Sequence, residues 1–460
     1  MTRVLLVGSG AREHAIAAAL AQSSEMELFA AMSSLNPGIM RLAKEAKVMK
    51  VTEPQTVSDY AIRSRAEVVI VGPEAPLVGG VVDALKESGI ASVGPTKRLA
   101  ALEGDKAFCR DLLDRHNIAG NPAYQNFTDP DSVEFYLRSV GPVAIKPAGL
   151  TGGKGVRVSG EDLPNKEAEV NYAKEILQKG IGDVHAVVVE ERLEGEEYSM
   201  QAFVDGKDVY VMPLVQDHKR AYEGDTGPNT GGMGSYSDRD HLLPFVTSSD
   251  LESSSRMMGD VVRALRDDTG EEYRGILYGQ FMVARGENEE KPSPKLIEFN
   301  CRFGDPEAMN VLSLLSKDTD FVEVCQRIAG GDLRAKRFSF ERKATVCKYL
   351  VPENYPERAN PGQAISVDED AIAAVNGRVF YASVDVKNGQ IITTASRTVG
   401  VVGISDTIAE AERVAENATS FITGPLRHRK DVGTSTLIQK RIDHVKSLDK
   451  PRVATQAEIS

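Results

Sequence analysis

The stretch VAIKPAGLTGGKGVRV at residues 143–158 places a glycine-rich loop, Gly149–Gly155, between two short apolar runs. Each run has the composition of a β-strand. A Walker phosphate loop reads GxxxxGK[ST] and precedes a helix, and positions 148 and 155 here carry the wrong residues for it. A glycine-rich loop between two strands instead predicts a flexible flap, whose backbone N–H groups and Lys154 fold over phosphates, with Lys146 as a second charge. The alternative is a hairpin that is merely mobile.

The chain has 460 residues, of which 41% are hydrophobic and 27% charged, and its formal net charge is −12. This length exceeds what one hydrophobic core organises, so it predicts three or four domains or subdomains. The negative charge argues against a nucleic-acid or anionic-membrane partner, because such partners need a basic footprint. No apolar run reaches the roughly 20 residues of a membrane span. Four widely separated cysteines predict neither a disulfide framework nor a zinc site and favour a reducing cytoplasm.

The order of apolar runs divides the chain into segments. Residues 1–102 alternate buried strands with amphipathic stretches, which predicts a doubly wound parallel sheet. A charged helix is predicted from Asp105 to His116, and strands dominate again after residue 331. The predicted segments are an amino-terminal substrate domain (1–104), a linking helix (105–122), a flap subdomain (123–192), a catalytic and metal subdomain (193–330), a carboxyl-terminal domain (331–445) and a tail (446–460).

Three loops follow strands of the predicted amino-terminal sheet: Gly8–His14, Gly72–Leu77 and Gly94–Thr96. Ligands bind at the carboxyl ends of parallel strands, so we expect these loops to share one crevice. The first loop has two glycines of a dinucleotide fingerprint, but Glu13 stands at the third, which disfavours a nicotinamide site. A smaller anion site is favoured, with Gly10 allowing close approach and Arg12 supplying charge. A plain tight turn is the alternative.

The predicted strand Lys295–Asn300 carries oxygen-bearing side chains. Alternation along a strand places Glu298 and Asn300 on one face together with Leu296. A carboxylate and an amide oxygen are hard ligands, suited to magnesium that bridges ATP phosphates. Arg302 follows them, in a position to neutralise charge on a transferred phosphoryl group. For Glu298 taken alone, a solvated position at a sheet edge is the alternative.

The segments Gln216–Arg220 and Asp225–Gly234 are too rich in glycine for a core element. They predict a long loop, and long loops in compact domains are usually functional or disordered. In the functional interpretation, three polar residues of the loop bind the polar ends of substrates: Asp225, Thr226 and Asn229.

Three local patterns predict secondary structure further along the chain. An Asn388–Gly389 pair predicts a hairpin turn, and Thr407–Glu410 has the pattern of a helix capping box. A stripe at helical spacing predicts a core-facing helix, and its members are Met257, Met258, Val261, Val262 and Leu265.

Several strings, in one order, resemble a single family of enzymes. They are REHA at residues 12–15, VGPEAPL at 71–77, QDHKR at 216–220, DTGPNTGGMG at 225–234 and EFNCRFGDPE at 298–307. The chain resembles the ATP-grasp ligases, and within them the glycinamide ribonucleotide synthetases, from residue 1 to about residue 440. The resemblance implies an α/β ATP-grasp fold with an amino-terminal doubly wound parallel-sheet domain and a carboxyl-terminal α+β domain.

The resemblance also implies a reaction and its cofactors. Members of this family join glycine to 5-phosphoribosylamine with ATP, giving glycinamide ribonucleotide, ADP and phosphate in purine biosynthesis. A carboxylate is a poor acyl donor, and a phosphoryl group from ATP converts its oxygen into a leaving group that the amine displaces. The expected protein is thus a cytoplasmic C–N ligase that uses ATP and Mg²⁺ or Mn²⁺, as a monomer or alternatively a dimer.

Position by position, the resemblance implies roles for matching residues. ATP would be bound by Lys106, Lys146, Gly152, Gly153, Lys154 and Gly155, by an adenine hinge of Glu190, Glu191, Arg192 and Leu193, and by Glu197 at the ribose. The metal ligands would be Gln280, Glu298 and Asn300. Arg302 and Lys154 would be catalytic. Substrates would be bound by Gly10, Arg12, Pro73, Glu74 and Pro76 at the ribose phosphate, and by Asp225, Thr226, Asn229, Arg302, Gly304 and Asp305.

The chain also departs from the pattern of the family. Ala148 stands where many bacterial members have an acidic residue, and residues 344–360 are closer to archaeal versions. Glu13 and His14 have no role that the sequence explains. Three alternatives are another ATP-grasp carboxylate–amine ligase, an NAD-dependent oxidoreductase and a noncatalytic nucleotide sensor. Glu13 disfavours the oxidoreductase, and the intact Glu298, Asn300 and Arg302 disfavour the sensor.

Overall fold

The structure, a computed structural model, describes residues 1–152, 155–286, 291–335 and 337–449. The amino-terminal elements are β1 (Thr2–Val7), α1 (Ala11–Leu20), β2 (Met26–Met32), α2 (Pro37–Leu42), β3 (Glu45–Val48), α3 (Pro54–Ser64), β4 (Val68–Val71), α4 (Glu74–Gly79), α5 (Val81–Glu87), β5 (Ala91–Val93) and α6 (Lys97–Gly104). The strands are parallel, in the order β3-β2-β1-β4-β5. Val4 and Leu6 enter the core beside α1, whereas Leu5 and Val7 enter the core beside α3 and α5. The predicted doubly wound sheet is therefore confirmed.

The next segment holds the flap. Its elements are α7 (Lys106–Arg115), β6 (Tyr124–Phe127), α8 (Pro130–Ser139), β7 (Val143–Pro147), β8 (Arg157–Val158), α9 (Lys166–Lys179) and β9 (Val187–Glu191). Helix α7 begins where predicted, because the Asp105 carboxylate accepts hydrogen bonds from the N–H groups of Ala107 and Phe108. The strands pair antiparallel in the order β6-β9-β7-β8, so the glycine-rich loop does join two neighbouring strands.

A larger antiparallel sheet follows, in the order β11-β10-β16-β17. The elements of this segment are β10 (Gly195–Asp205), β11 (Val209–Val211), β12 (Gln216–Asp217), β13 (Arg220–Tyr222), β14 (Thr226–Asn229), β15 (Gly234–Ser237), α10 (Ser248–Thr269), β16 (Arg274–Ala284), β17 (Ser293–Asn300), α11 (Glu307–Ser313) and α12 (Phe321–Gly330), followed by a short 3₁₀ turn (Leu333–Ala335). The predicted apolar stripe of α10 is buried throughout. This sheet carries the predicted metal ligands on β16 and β17.

The predicted alternation along β17 is wrong at one residue. Glu298 lies opposite Gln280, but Leu296 lies opposite Phe281, so Ile297 is an extra residue at a β-bulge. The bulge moves Leu296 to the other face, where it is buried with Phe281 and Phe299. Glu298 and Asn300 do share a face, as predicted, and Leu296 is not on it.

The sequence predicted one long loop in the glycine-rich segment 216–237, and this prediction is wrong. The segment forms β12 to β15, and β15 pairs with a strand of the carboxyl-terminal sheet that includes Cys347 and Lys348. Left-handed backbone at Gly224 and Gly232 permits the tight turns between these strands. The partner strand comes from more than a hundred residues away, which is why local composition did not reveal it.

The carboxyl-terminal segment mixes helices and strands, as the α+β prediction requires. Its elements are β18 (Ala344–Pro352), β19 (Ala364–Val367), α13 (Glu369–Ala374), β20 (Gly377–Tyr381), β21 (Val384–Lys387), β22 (Gln390–Thr393), β23 (Val399–Ser405), α14 (Ile408–Thr419), β24 (Ile422–Thr423), β25 (Leu426–Arg427) and α15 (Ser435–Leu448). One sheet runs β12-β15-β18-β23-β20, with β25 also paired to β18, and a second runs β21-β22-β19-β24. Helix α15 extends past residue 445 into the predicted tail, and residues 450–460 of that tail lie outside the described residues.

Two local predictions in this segment have different outcomes. The Asn388–Gly389 turn joins β21 to β22 with φ of 51° and 77°, so the predicted hairpin is confirmed. The Thr407 side chain caps α14 by accepting from the N–H of Glu410. The Glu410 carboxylate accepts instead from Ser405, so the reciprocal half of the predicted capping box is absent. Throughout the described ranges, every helix is too short or too polar to span a lipid bilayer.

Candidate active site

Five oxygen-bearing side chains lie together on one face of the sheet formed by β10, β16 and β17. Gln280 is opposite Glu298, and Asn300 is opposite Tyr278, and directly opposed residues of antiparallel strands point to the same side. The Gln280 amide donates to Oε2 of Glu197 at 3.0 Å. The amide oxygen of Gln280 accepts from the Tyr278 hydroxyl. The structure therefore brings the three predicted metal ligands together, with the predicted ribose ligand Glu197 beside them.

The Glu298 carboxylate is half-buried and accepts no hydrogen bond from any described residue. Burial acts to raise its pKa, but nearby cations outweigh this and lower the pKa of Glu298 below its usual value. These cations are Lys219, Lys106, Lys146 and Arg302. Glu298 is thus an ionised carboxylate with free lone pairs, surrounded by positive charge.

Arg302 is held on several sides. Its Nη2 donates to Oδ1 of Asn300 at 2.9 Å and lies 3.1 Å from Oε1 of Glu103. Its Nε lies 3.3 Å from Oε2 of Glu74, at the start of α4. The guanidinium therefore connects the sheet face that carries the predicted metal ligands to the loop of the amino-terminal sheet that was predicted to bind substrate.

The predicted nucleotide lysines lie at the base of the flap. Lys106 Nζ donates to the carbonyl of Gly149 at 3.0 Å. Lys146 Nζ lies 2.7 Å from Oε2 of Glu190 and is buried with it. Arg110, which the sequence analysis did not single out, binds the same carboxylate through Nε and Nη2 at 2.8 and 2.9 Å. The Glu190 side chain is thus engaged in a buried ion cluster and not open to an adenine base.

The other predicted hinge and flap residues are spread around this cluster. Glu191 accepts from the N–H of Ala123 at 2.9 Å, and Arg192 donates to the carbonyl of Ser159 at 3.1 Å. Leu193 is half-buried. Gly152 has left-handed backbone, and the carbonyl of Gly155 accepts from Tyr172. Gly153 and Lys154 lie outside the described residues.

Glu13, which had no role from sequence, occupies the space between two amino-terminal loops. Its Oε2 accepts from the N–H of Gly10 at 2.6 Å, and its Oε1 accepts from Nε of Arg12 at 2.6 Å. A Cβ added to Gly72 would lie 2.3 Å from the Glu13 carboxylate, which shows how closely the second loop approaches. Two loops therefore share a crevice as predicted, but Glu13 takes the donors assigned to a phosphate. The third loop, Gly94–Thr96, instead contacts the first residue of β16, because the N–H of Gly94 donates to the carbonyl of Arg274.

His14 also acquires a role, which is to join the amino- and carboxyl-terminal segments. Its Nδ1 accepts from the N–H of Tyr381 at 3.0 Å. Burial and nearby Arg41 lower the pKa of His14 to about 3, so the ring is neutral and able to accept. Asn36 donates to the carbonyls of Ser9 and Tyr381 at the same junction.

The remaining predicted substrate residues fall into three places. Pro73 and Pro76 belong to the loop and first turn of α4, beside Glu74. The N–H of Gly304 donates to Gln201 at 2.7 Å, and Asp305 accepts from Tyr349 at 2.5 Å and pairs with Arg397 at 3.2 Å. Gly304 and Asp305 therefore lie in a fixed turn directly after Arg302.

Asp225, Thr226 and Asn229 lie apart from that turn. The Asp225 carboxylate pairs with Arg429 at 3.1 Å and with Arg441 of α15. Thr226 is exposed at the start of β14, and its hydroxyl donates to the carbonyl of Glu223. Asn229, at the end of β14, is half-buried. The structure thus uses Asp225 to bind the carboxyl-terminal segment.

Two carboxyl groups at this site, Asp217 and Glu307, were not predicted from the sequence. The Tyr278 hydroxyl lies 2.9 Å from Oε1 of Glu307. Burial raises the pKa of Glu307, and burial together with Glu307 raises the pKa of Asp217 well above its usual value. Lys219, also missed, lies 3.1 Å from Glu197. These residues belong to the strings at 216–220 and 298–307 that carried the family resemblance. A sequence string does not reveal which of its side chains contact each other in the folded protein.

The donor set fits a small, hard cation. Within the described ranges, no three or more histidine, cysteine, aspartate or glutamate residues form a metal-binding group. The candidate ligands are one carboxylate, Glu298, and two amide oxygens, those of Gln280 and Asn300. Magnesium in nucleotide sites usually takes one or two carboxylates, and phosphates and water complete its octahedral coordination. Glu298 has lone pairs available, as such a site requires.

Comparisons with known proteins agree with this arrangement. Family models described as the phosphoribosylglycinamide synthetase N domain, ATP-grasp (A) domain and C domain match residues 2–103, 104–308 and 345–435. The chain is 51% identical over 448 residues to a phosphoribosylamine–glycine ligase of Methanoregula boonei, covering 97% of this chain and 100% of that protein.

Two solved structures share the fold. A phosphoribosylamine–glycine ligase from Thermotoga maritima has a TM-score of 0.77 at 26% identity, covering 94% of this chain and 100% of that one. The biotin carboxylase domain of Hydrogenobacter thermophilus 2-oxoglutarate carboxylase, solved with MgADP, ADP and bicarbonate, has a TM-score of 0.69 at 17% identity, covering 97% and 94%. The latter likeness concerns the fold alone. The chain therefore belongs to the phosphoribosylglycinamide synthetase family of ATP-grasp enzymes, whose curated relatives are phosphoribosylamine–glycine ligases.

Proposed function

We propose that this chain joins glycine to 5-phosphoribosylamine through glycyl phosphate. The γ-phosphoryl group of ATP passes to a carboxylate oxygen of glycine, and the bond to ADP breaks. The amine nitrogen then attacks the carbonyl carbon, the C–O bond to phosphate breaks, and the nitrogen loses a proton. The observation that carries this proposal is the Glu298 carboxylate, which faces Gln280, accepts no hydrogen bond from the described residues and lies beside the Asn300–Arg302 pair.

Gln280, Glu298 and Asn300 would hold the divalent metal, Mg²⁺ or Mn²⁺. When bound, the metal would neutralise charge on the ATP phosphates and orient them. The described contacts support this, because Tyr278 and Arg302 hold two of the ligand amides in place.

Lys106 and Lys146 would supply charge to the ATP phosphates. Both lower the pKa of Glu298, which supports a position close to the proposed metal ligands. The flap residues Gly152, Gly153, Lys154 and Gly155 would close over the nucleotide and keep water from the acyl phosphate. The adenine would lie against the hinge of Glu190 to Leu193, bound through its backbone and apolar surface, with Glu197 near the ribose.

Arg302 would bind the glycine carboxylate or its phosphorylated form, with Gly304 and Asp305 shaping the turn around it. The phosphoribosylamine would enter from the crevice of Gly10, Arg12, Pro73, Glu74 and Pro76. Arg12 donates to the carbonyl of Phe303 at 3.1 Å, so the crevice adjoins the turn after Arg302. Asp225, Thr226 and Asn229 stay predicted substrate ligands on sequence alone.

We also propose the segment boundaries of the sequence analysis, a monomeric state and a cytoplasmic location. The family matches change near residue 104, which supports the first boundary. The four cysteines are free and buried, as in a protein of a reducing compartment.

The test is ADP release from ATP and Mg²⁺ with glycine and freshly generated phosphoribosylamine, each omitted in turn. We expect ADP, phosphate and glycinamide ribonucleotide to form in equal amounts, and only when all substrates are present. Mass spectrometry measures the glycinamide ribonucleotide. A Glu298→Gln preparation gives the contaminant background. If alanine, aspartate or bicarbonate replaces glycine at equal kcat/KM, the chain is a different carboxylate–amine ligase and the proposal fails.

A further inference from the structure

Strand β17 departs from regular geometry next to Glu298, the carboxylate among the proposed metal ligands. The pairing of Glu298 with Gln280 and of Leu296 with Phe281 leaves Ile297 without a partner on β16. In a regular strand Leu296 and Glu298 would lie on one face, and burying Leu296 in the core would bury Glu298 with it. The bulge lets Leu296 be fully buried while Glu298 faces Gln280.

One side chain holds both carbonyl groups of this bulge. Nη2 of Arg110 donates to the carbonyl of Leu296 at 3.0 Å and to that of Ile297 at 2.8 Å. Arg110 is 2% exposed. Nη2 also lies 2.9 Å from Oε2 of Glu190, Nε donates to Oε1 of Glu190, and Nη1 donates to Asn121. Its rigid planar fork satisfies four partners at once, which a lysine ammonium cannot do with one nitrogen.

The carbonyl of Ile297 has a second donor. Lys146 Nζ lies 3.2 Å from it and 2.7 Å from Glu190. The linking helix, the flap strands and the metal strand therefore meet at a single buried cluster of Arg110, Glu190 and Lys146. The cluster contains two positive charges and one negative, so its net charge is about +1.

We infer that Arg110 is a positioning residue that holds the bulge at Leu296–Ile297, turns Glu298 toward Gln280 and so sets the affinity of the site for a divalent cation. This inference rests on the proposed function, because it assumes that Glu298 and Gln280 bind metal. Arg110 does not touch the metal face itself. It acts through backbone carbonyls, and groups that orient metal ligands typically change metal affinity by about 10–100-fold when removed.

The test measures Mn²⁺ binding in the presence of ADP, by the electron paramagnetic resonance signal of free Mn²⁺, so it does not depend on turnover. Arg110→Lys keeps the charge but loses the fork. The double variant Arg110→Met with Glu190→Gln removes one positive and one negative charge, so the cluster keeps its net charge and leaves no unpaired carboxylate. Asn121→Ala is the matched control, since it removes one partner of Arg110 but leaves both bulge carbonyls bound.

We expect the Mn²⁺ dissociation constant to rise by about tenfold or more in Arg110→Lys and in the double variant, and to stay within about twofold in Asn121→Ala. Thermal melts check that each variant is folded, and the double variant decides the matter if Arg110→Lys does not fold. Parental Mn²⁺ affinity in a folded double variant overturns the inference. If the parent protein with ADP binds no Mn²⁺, the proposed metal site itself is wrong, which is a separate and recognisable result.

Discussion

Arg302 and Asn300, two residues apart in the chain, are joined by a hydrogen bond of 2.9 Å from Nη2 to Oδ1. The same guanidinium lies 3.1 Å from Glu103 and 3.3 Å from Glu74. An amide predicted to bind metal and a cation predicted to bind the activated carboxylate are thus held in one rigid arrangement. Any group that displaces Arg302 also frees the amide of Asn300.

Arg302→Lys tests this arrangement. Lysine keeps the positive charge but lacks the planar fork that binds Asn300, Glu103 and Glu74 together. We expect kcat to fall by about 10²–10³-fold, the range for losing one preorganised electrostatic contact, and ADP affinity to change little. Steady-state kinetics and ADP titration provide the measurement. Arg274→Lys, at the far end of β16, is the control and should leave kcat near the parent value, whereas an equal loss there would point to general disturbance.

Glu298→Gln tests the metal ligand. The change keeps the shape of the side chain and removes the charge that competes with the hydration shell of magnesium. Turnover should fall by orders of magnitude and return in part at high Mg²⁺ or Mn²⁺, because mass action restores metal occupancy. A general base lost at this position would not be rescued in this way. Activity against metal concentration is the measurement, and an unchanged activation curve would remove Glu298 from the metal site.

Asp217→Asn tests a predicted pH effect on stability. Burial and the neighbouring Glu307 raise the pKa of Asp217 well above its usual value of about 4, although Lys219 and Arg397 oppose them. The unfolded chain therefore loses this proton at lower pH than the folded protein. The resulting cost to stability is absent below about pH 4 and grows as the pH rises toward the folded pKa.

Removing the titratable group should therefore raise the thermal midpoint, and the gain should be larger at pH 8 than at pH 5. Melts of the parent and of Asp217→Asn across that range give the result. Asp240→Asn serves as control, since Asp240 lies on an exposed turn of the same segment. A constant difference between parent and variant at every pH would show that Asp217 keeps an ordinary pKa.

Asp225→Asn distinguishes substrate binding from structural support. Breaking a largely buried ion pair costs up to about 3–5 kcal/mol, and here both Arg429 and Arg441 would lose a counter-charge. Arg441 and His218 lower the pKa of Asp225 despite burial, so its stabilisation is present at neutral pH and disappears as the pH falls through the acid range. We expect a lower thermal midpoint at pH 7 that converges with the parent in acid.

Arg441→Met is the companion variant, because it removes the Asp225–Arg441 ion pair from the other side, together with the pair between Arg441 and Glu196 at 3.2 Å. Similar losses of thermal stability in both variants, with KM for glycine and for the amine nearly unchanged, would assign Asp225 to structural support. A rise in either KM that is confined to Asp225→Asn would instead support the substrate-binding prediction.

Features that depend on near neighbours in the chain were predictable from sequence. The parallel sheet followed from runs such as Val68–Val71, which are buried on both faces and so are apolar throughout. Helix α7 followed from the charged amphipathic run Asp105–His116, and the β21–β22 hairpin from Asn388–Gly389, since both patterns are complete within a short stretch of chain. The shared face of Glu298 and Asn300, the two predicted metal ligands on β17, followed from strand periodicity.

Tertiary structure alone decided which charged and polar groups meet. Arg110 finds Glu190 eighty residues away, and His14 accepts from Tyr381 across 367 residues. The bulge at Ile297 overrode periodicity, because burial of Leu296 and the donors on Arg110 together stabilise one extra residue in the strand. Sequence patterns report periodicity and local hydrogen bonding, whereas the pairing of buried charges depends on distances that exist only once the chain has folded.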